Sequence, residues 1–184
     1  MTGHKLHVYT GDGKGKTTAC IGLAVRAIGA SKRVVLIQFD KGFDGQNEHY
    51  SERKILRNLQ GLRLEPTGCE RIKPDDTFRF GVLPQDLEEA RRGLGLAAEA
   101  VTSKDYDLVI LDEILSAEQY HLVAEADVLG LISRWNEAGR PCELVLSGRT
   151  RLKSVIAQAD LVTEMKKIKH YYDEGVKARE GIEY

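Results

Sequence analysis

The sequence predicts an α/β fold in three layers, a mainly parallel sheet with helices on both faces. Three observations predict it. Short apolar runs alternate with longer segments of helical periodicity, the order that builds a parallel sheet through right-handed crossovers. Several of the runs are continuously apolar, as strands covered on both faces must be. A glycine-rich loop stands between the first run and the first helix.

Taken in order, residues 6–9 form the first strand, and an Ala/Leu-rich helix covers 16–29, with Gly29 expected as the left-handed residue that ends it. The continuous apolar run 34–39 is the second strand. Residues 48–59 read as a helix with Ile55, Leu56 and Leu59 on one face, and 62–64 as a short strand. The polar, irregular stretch 69–83 predicts an exposed loop. Pro84 then opens a helix on which Leu87, Ala90, Leu94, Ala97 and Val101 fall at helical spacing. Strand 108–111 ends in Asp112-Glu113; helix 123–137, strand 144–146, helix 152–159 and strand 161–163 follow. The charged, glycine-containing tail 166–184 is expected to lie across the surface or a cleft.

The whole chain, 1–184, reads as one domain: 184 residues bury a full core, and no linker, repeat or low-complexity segment divides it. A formal net charge of −1 gives no general basic field for nucleic acid. No apolar run is long enough to span a bilayer, and the first residues carry no signal-peptide pattern. Three scattered cysteines without a Cys-x-x-Cys pair fit reduced thiols and a cytoplasmic location. His4, His7, His49, His121 and His170 show no ligand spacing.

The chemistry concentrates after the first strand, in Gly11-Asp12-Gly13-Lys14-Gly15-Lys16-Thr17-Thr18. Alternate glycines let backbone N–H groups turn toward one anion, Lys16 brings a mobile cation to the outer phosphates, and the Thr17 hydroxyl suits Mg²⁺. The helix that follows aims its positive end at the same place. The usual phosphate-loop pattern wants glycine where Thr10 stands; here Gly11 comes one step later, and Lys14 adds a second cation. A nucleoside triphosphate is the expected ligand, in a P-loop nucleotidase (RecA-like) fold. Asp112 and Glu113, at a strand's carboxyl end, can reach a Mg²⁺ held by phosphates and Thr17; since neighbours on a strand point oppositely, one of the two is expected to face the metal, and Asp112 can equally cap a helix. Arg149, in Ser147-Gly148-Arg149, can fork onto phosphate oxygens or simply be solvated in a turn. Gln38 and Lys41, at the second strand's end, can touch sugar or phosphate.

Five segments occur together: 11–18, Gln38-Phe-Asp-Lys-Gly42, Val109-Ile-Leu-Asp-Glu-Ile114, Ser147-Gly-Arg149, and 159–165 with Lys169-His170 and a Gly-Ile-Glu-Tyr184 ending. In this order the chain resembles the P-loop class of ATP:corrinoid adenosyltransferases, nearly end to end. The resemblance implies transfer of the 5′-deoxyadenosyl group of ATP to the cobalt of a reduced corrinoid, with triphosphate released. It implies ATP and corrinoid as substrates, Mg²⁺, a homodimer and a flavoprotein-type reductase as partner. It places the phosphates on residues 11–18 and Arg149, with Thr17 and Glu113 on the metal, and requires no acid–base residue; Lys14 and Lys16 act by positioning. The departures fall on the corrinoid side. Cys69 and Arg71 stand where members carry an aromatic pair, with Phe78 and Phe80 as candidate substitutes. Leu115 replaces an Asn and Tyr171 a Pro, and the segment before the first strand is short. Two other readings remain: an ATP-binding relative with another acceptor or a regulatory role, and a small P-loop kinase or hydrolase.

Overall fold

The computed structural model describes residues 3–42, 48–71, 79–150 and 152–184. Six strands, β1 (Leu6–Thr10), β2 (Val34–Gln38), β3 (Leu62–Pro66), β4 (Leu108–Asp112), β5 (Glu143–Ser147) and β6 (Leu161–Glu164), form one sheet in the order β3-β2-β4-β5-β1-β6. Every pairing is parallel. Apolar sequence produces this: four apolar residues in a row precede a single polar one, Gln38 in β2 and Asp112 in β4, and all five residues of each strand are buried, since helices cover both faces.

One face carries α1 (Lys16–Gly29) and α2 (Ser51–Leu56). There Cys20, Ala24 and Leu56 pack on Leu36, Ile110 and Val145. The other carries α3 (Pro84–Thr102), α4 (Ile114–Gln119), α5 (Glu125–Glu137) and α6 (Lys153–Gln158), packed on Val8, Ile37, Leu111 and Leu144. Trp135 is fully buried on this side, and its indole N–H donates to the Cys142 carbonyl at 2.9 Å. Truncating such a core side chain costs about 2–5 kcal/mol.

β1 and β2 are not neighbours: α1 leaves β1 and crosses above β5 and β4 to reach β2. The loop before α1 therefore opens at the carboxyl edge, where the chain's direction across the sheet reverses and α/β proteins bind ligands.

Four local expectations are corrected. Gly29 is the last helical residue, and Ser31, at φ 59°, makes the left-handed turn. The helix expected at 48–59 is only Ser51–Leu56, and its face is rotated: Arg53 and Leu56 are buried, whereas Ile55 is 67 % exposed. α4 was not foreseen, because six residues are too few to display a period. The short 3₁₀ turn Tyr171–Glu174 in the tail was also not foreseen.

Candidate functional site

The glycine loop is shaped first by its own chain. After β6, Met165 donates its N–H to the Thr10 carbonyl and accepts the Gly13 N–H, both at 2.7 Å. A Cβ on Gly11 would stand 2.3 Å from the Met165 carbonyl oxygen, and one on Gly13 2.7 Å from it. No side chain fits at either position, so these two glycines allow the strand-end backbone to lie on the loop. The Gly13 N–H is thereby used internally. The groups turned outward belong to Gly15, Lys16, Thr17 and Thr18, which line the cavity; the first turn of a helix leaves such N–H groups unpaired. Lys16, 7 % exposed, lies back across the loop and donates to the Gly11 and Gly13 carbonyls, both at 2.9 Å. Burial lowers its pKa, which makes the ammonium receptive to an anion.

Beneath the loop Asp112 is a fully buried hub. It accepts the Ser147 hydroxyl at 2.5 Å, the Lys41 ammonium at 2.8 Å and the Thr17 hydroxyl at 3.1 Å, with the Gln38 amide at 3.5 Å. Lys41 also donates to Thr17 Oγ1 at 2.7 Å. Burial by itself favours the neutral form of both partners; their mutual attraction outweighs it, holding Asp112 below and Lys41 above its ordinary range. Glu113 leaves the strand at φ 61°, a left-handed conformation that costs a residue with a side chain about 1–2 kcal/mol. Its N–H is fixed on Ser147 Oγ at 2.9 Å, and its side chain lines the cavity. Glu113 thus borders the cavity while Asp112 lies buried beneath it, so one of the two acids faces the site, as strand alternation leads one to expect.

The cavity above has a volume of about 1260 Å³ and takes in Asp12, Lys14, Lys41, Glu113 and Arg149 alongside the start of α1. Its far wall is the chain's own tail. Lys14 Nζ donates to Glu183 Oε1 at 2.7 Å, the Ile182 carbonyl at 2.8 Å and the Tyr171 hydroxyl at 3.1 Å. Those bonds raise the Lys14 pKa, the Glu183 contact first. Tyr184 stacks on His49 with ring centroids 4.1 Å apart. Asp12 accepts the Lys167 N–H at 3.0 Å, which ties the tail's start to the loop. The tail expected over a cleft lies across this one.

The expected residues separate into two sets. Lys14, Lys16, Thr17, Thr18, Lys41, Glu113 and Arg149 share the cavity. Arg149 is exposed, its N–H anchored on Ser116 Oγ at 2.9 Å. Gln38 is corrected: fully buried, it does not line the cavity, and its Oε1 accepts Arg53 Nε at 2.7 Å. Arg53 itself escaped sequence reasoning. Wholly buried, it also donates to the Lys41 carbonyl at 2.6 Å and lies 4.5 Å from the Tyr50 ring centre. It fixes the backbone that carries Lys41.

On the side where the resemblance expects aromatic rings, Arg71 turns inward and donates to Asp40 Oδ1 at 2.6 Å and the Gly81 carbonyl at 2.8 Å. Arg79 grips buried Asp86 with two bonds of 2.8 and 2.7 Å, while Asp86 also accepts the Leu83 N–H at the start of α3. Arg71 is thus part of a staple closing this loop. Phe80 is 85 % exposed nearby, and Phe78 lies outside the described residues.

A loop of this kind at the carboxyl end of β1, running into α1 with an acid hub beneath it, defines a P-loop nucleotide-binding protein. The profile of the family described as ATP:corrinoid adenosyltransferase BtuR/CobO/CobP matches residues 3–184, and the chain belongs to that family. It is 33% identical over 179 residues to a corrinoid adenosyltransferase of Escherichia coli K12, with 96% of this chain and 84% of that protein covered. It is likewise 33% identical over 183 residues to corrinoid adenosyltransferase CobA of Salmonella typhimurium, at the same coverage. A Pseudomonas aeruginosa corrinoid adenosyltransferase is 29% identical over 181 residues, covering 97% and 83%.

Proposed function

We propose that this chain, acting as one nucleotide-binding domain, transfers the 5′-deoxyadenosyl group of ATP to the cobalt of a reduced corrinoid. The observation that carries the reading is the convergence of Lys14, Lys16, Lys41 and Arg149 on one cavity beside the positive end of α1. At about 1260 Å³ the cavity exceeds the roughly 300–1,000 Å³ usual for a single small ligand. That leaves room for ATP and the edge of a larger acceptor.

In the reaction the cobalt electron pair forms the bond to C5′, the C5′–O bond breaks, and the triphosphate leaves with the electron pair of that C–O bond. The nucleophile arrives with the substrate, so the chain supplies position and charge. Residues 15–18 hold the triphosphate by N–H groups and Lys16; Lys14 and Arg149 meet the charge that grows on it as it departs. Mg²⁺ shared with the phosphates fits Thr17 and Glu113, the hydroxyl and the carboxylate that border this part of the cavity. Among the described residues no group of three His, Cys, Asp or Glu could hold a metal alone, which agrees with an ion brought by the nucleotide. When bound, the ion neutralises phosphate charge. Asp112 serves from below by orienting Thr17.

The same reading includes a homodimer, a flavoprotein-type reductase that delivers the electrons, and a cytoplasmic location; no described helix is long and apolar enough to cross a membrane. The test is product analysis: protein, ATP, Mg²⁺ and a chemically reduced corrinoid are incubated, the phosphate product is identified, and the corrinoid spectrum is followed. Intact triphosphate with an alkylcobalt spectrum is expected. ADP or orthophosphate would replace the proposal with a kinase or hydrolase, and ATP binding without turnover with a relative serving another acceptor.

A further inference from the structure

We infer that Lys41 is a tethered stand-in for the divalent cation: its ammonium holds the metal position in the nucleotide-free protein and yields it only to a metal that arrives with a triphosphate. The inference rests on the reading that Thr17 and Glu113 meet Mg²⁺ above Asp112, and goes beyond it in saying what occupies that place beforehand and in which order ligands enter.

Lys41 Nζ lies 2.7 Å from Thr17 Oγ1 and 2.8 Å from Asp112 Oδ2, against the hydroxyl that a phosphate-bound ion would take and the buried acid that orients it. Its side chain is 12 % exposed and Asp112 is fully buried, so the contact is not an incidental surface pair. The ammonium is also placed by design of the fold. Arg53 clamps the Lys41 carbonyl at 2.6 Å, Lys41 N–H donates to the Thr67 carbonyl at 2.9 Å, and the Tyr50 ring centre lies 5.6 Å from Nζ. Among the described residues, Asp112, Glu113 and Tyr50 are ionisable groups acting on it.

Two consequences follow. A free divalent ion finds its site already neutralised, and it must displace an ammonium held by a fully buried carboxylate and the Thr17 hydroxyl. A metal–triphosphate brings that anion with it: phosphate oxygens accept the displaced ammonium, and Lys41 adds its charge to the leaving group. Metal thus enters with ATP and not ahead of it. Without the stand-in, the buried carboxylate would lose its compensating charge.

The experiment is Mn²⁺ binding followed by electron paramagnetic resonance, first with Mn²⁺ alone and then with Mn²⁺ and ATP. Nucleotide-free wild type is expected to leave the aqueous Mn²⁺ signal unchanged. Lys41→Met should take up Mn²⁺ in the absence of nucleotide, at least about tenfold more tightly than wild type, and Lys41→Met with Asp112→Asn should lose that gain. Lys41→Gln, which keeps an amide donor for Thr17, serves if the methionine variant does not fold, which circular dichroism reports. Uptake of Mn²⁺ alone by wild type as tight as by the variants, or no gain in either folded variant, overturns the inference. Thr17→Ala separates the underlying reading: if it leaves Mn²⁺–ATP binding unchanged, the metal site itself is elsewhere. If it weakens that binding while the Lys41 variants gain nothing, only the stand-in fails.

Discussion

Asp86→Asn tests whether the staple beside the cavity is a structural device that the adenosyl acceptor depends on. In the folded protein the Arg79 fork, opposed in part by burial and aided by the Leu83 N–H, brings the Asp86 pKa from 3.8 down to about 2. That difference corresponds to about 2 kcal/mol of stability at neutral pH. Asparagine keeps an acceptor for the Leu83 N–H, so the loss is confined to the charged contacts with Arg79 and Arg71. For a chain of this size about 2 kcal/mol lowers the melting temperature by roughly 4–8 °C. The sign in pH is fixed: the folded pKa is depressed, so the contribution is complete above the unfolded value and disappears as pH falls through the folded one. Melting curves of wild type and variant at pH 7 should therefore differ by the full amount and converge between about pH 4 and pH 2. Because the staple closes the loop where the family resemblance expects contact with the corrinoid, the apparent KM for corrinoid should rise while that for ATP holds. An unchanged melting temperature at pH 7, or a gap that does not narrow toward pH 2, would refute the assigned role of Asp86.

Lys16→Ala should abolish turnover and weaken ATP binding by about ten- to a hundredfold, the loss of a charge-assisted contact, as calorimetric titration would show. Gly13→Ala forces a Cβ to 2.7 Å from the Met165 carbonyl oxygen; a lower melting temperature and weaker ATP binding are expected together, and a silent substitution would refute the close approach of the two segments. Glu183→Gln removes the carboxylate that competes with phosphate for Lys14, so ATP should bind about two- to fivefold more tightly at low salt, a gain that shrinks as salt is added.

What was legible in the sequence was whatever periodicity and local pattern encode. β2 and β4 stood out because strands covered on both faces must be continuously apolar, and the phosphate loop stood out because its spacing is a backbone requirement. α4 was illegible: six residues following β4 do not complete two turns. Arg53 was illegible for a different reason. Beside Lys54 and Arg57 it reads as one more solvated cation, and only the tertiary structure shows a buried guanidinium bonded to Gln38 and to the backbone of Lys41. The same relation misdirected Gln38, a polar residue at a strand end whose partner lay on a separate helix. Pairing Asp112 with Glu113 was half legible. The acids were visible, and so was their division between cavity and interior, but the left-handed turn at Glu113 is a conformational fact no spacing announces.

The site is not an empty positive hole awaiting an anion. Its three lysines are already engaged: Lys14 with Glu183, Lys41 with Asp112, and Lys16 with two loop carbonyls. Binding a triphosphate is therefore an exchange of partners. The favourable energy is the difference between a phosphate and the acceptor it replaces, not the sum of four attractions. Exchange of this kind suits alkyl transfer. If each cation were bare, the site would hold the departing triphosphate too firmly to turn over. With internal acceptors waiting, each cation that lets go of the product finds a partner within the chain. The tail that carries Glu183 also walls the cavity, so release of triphosphate and re-formation of that wall involve the same lysine.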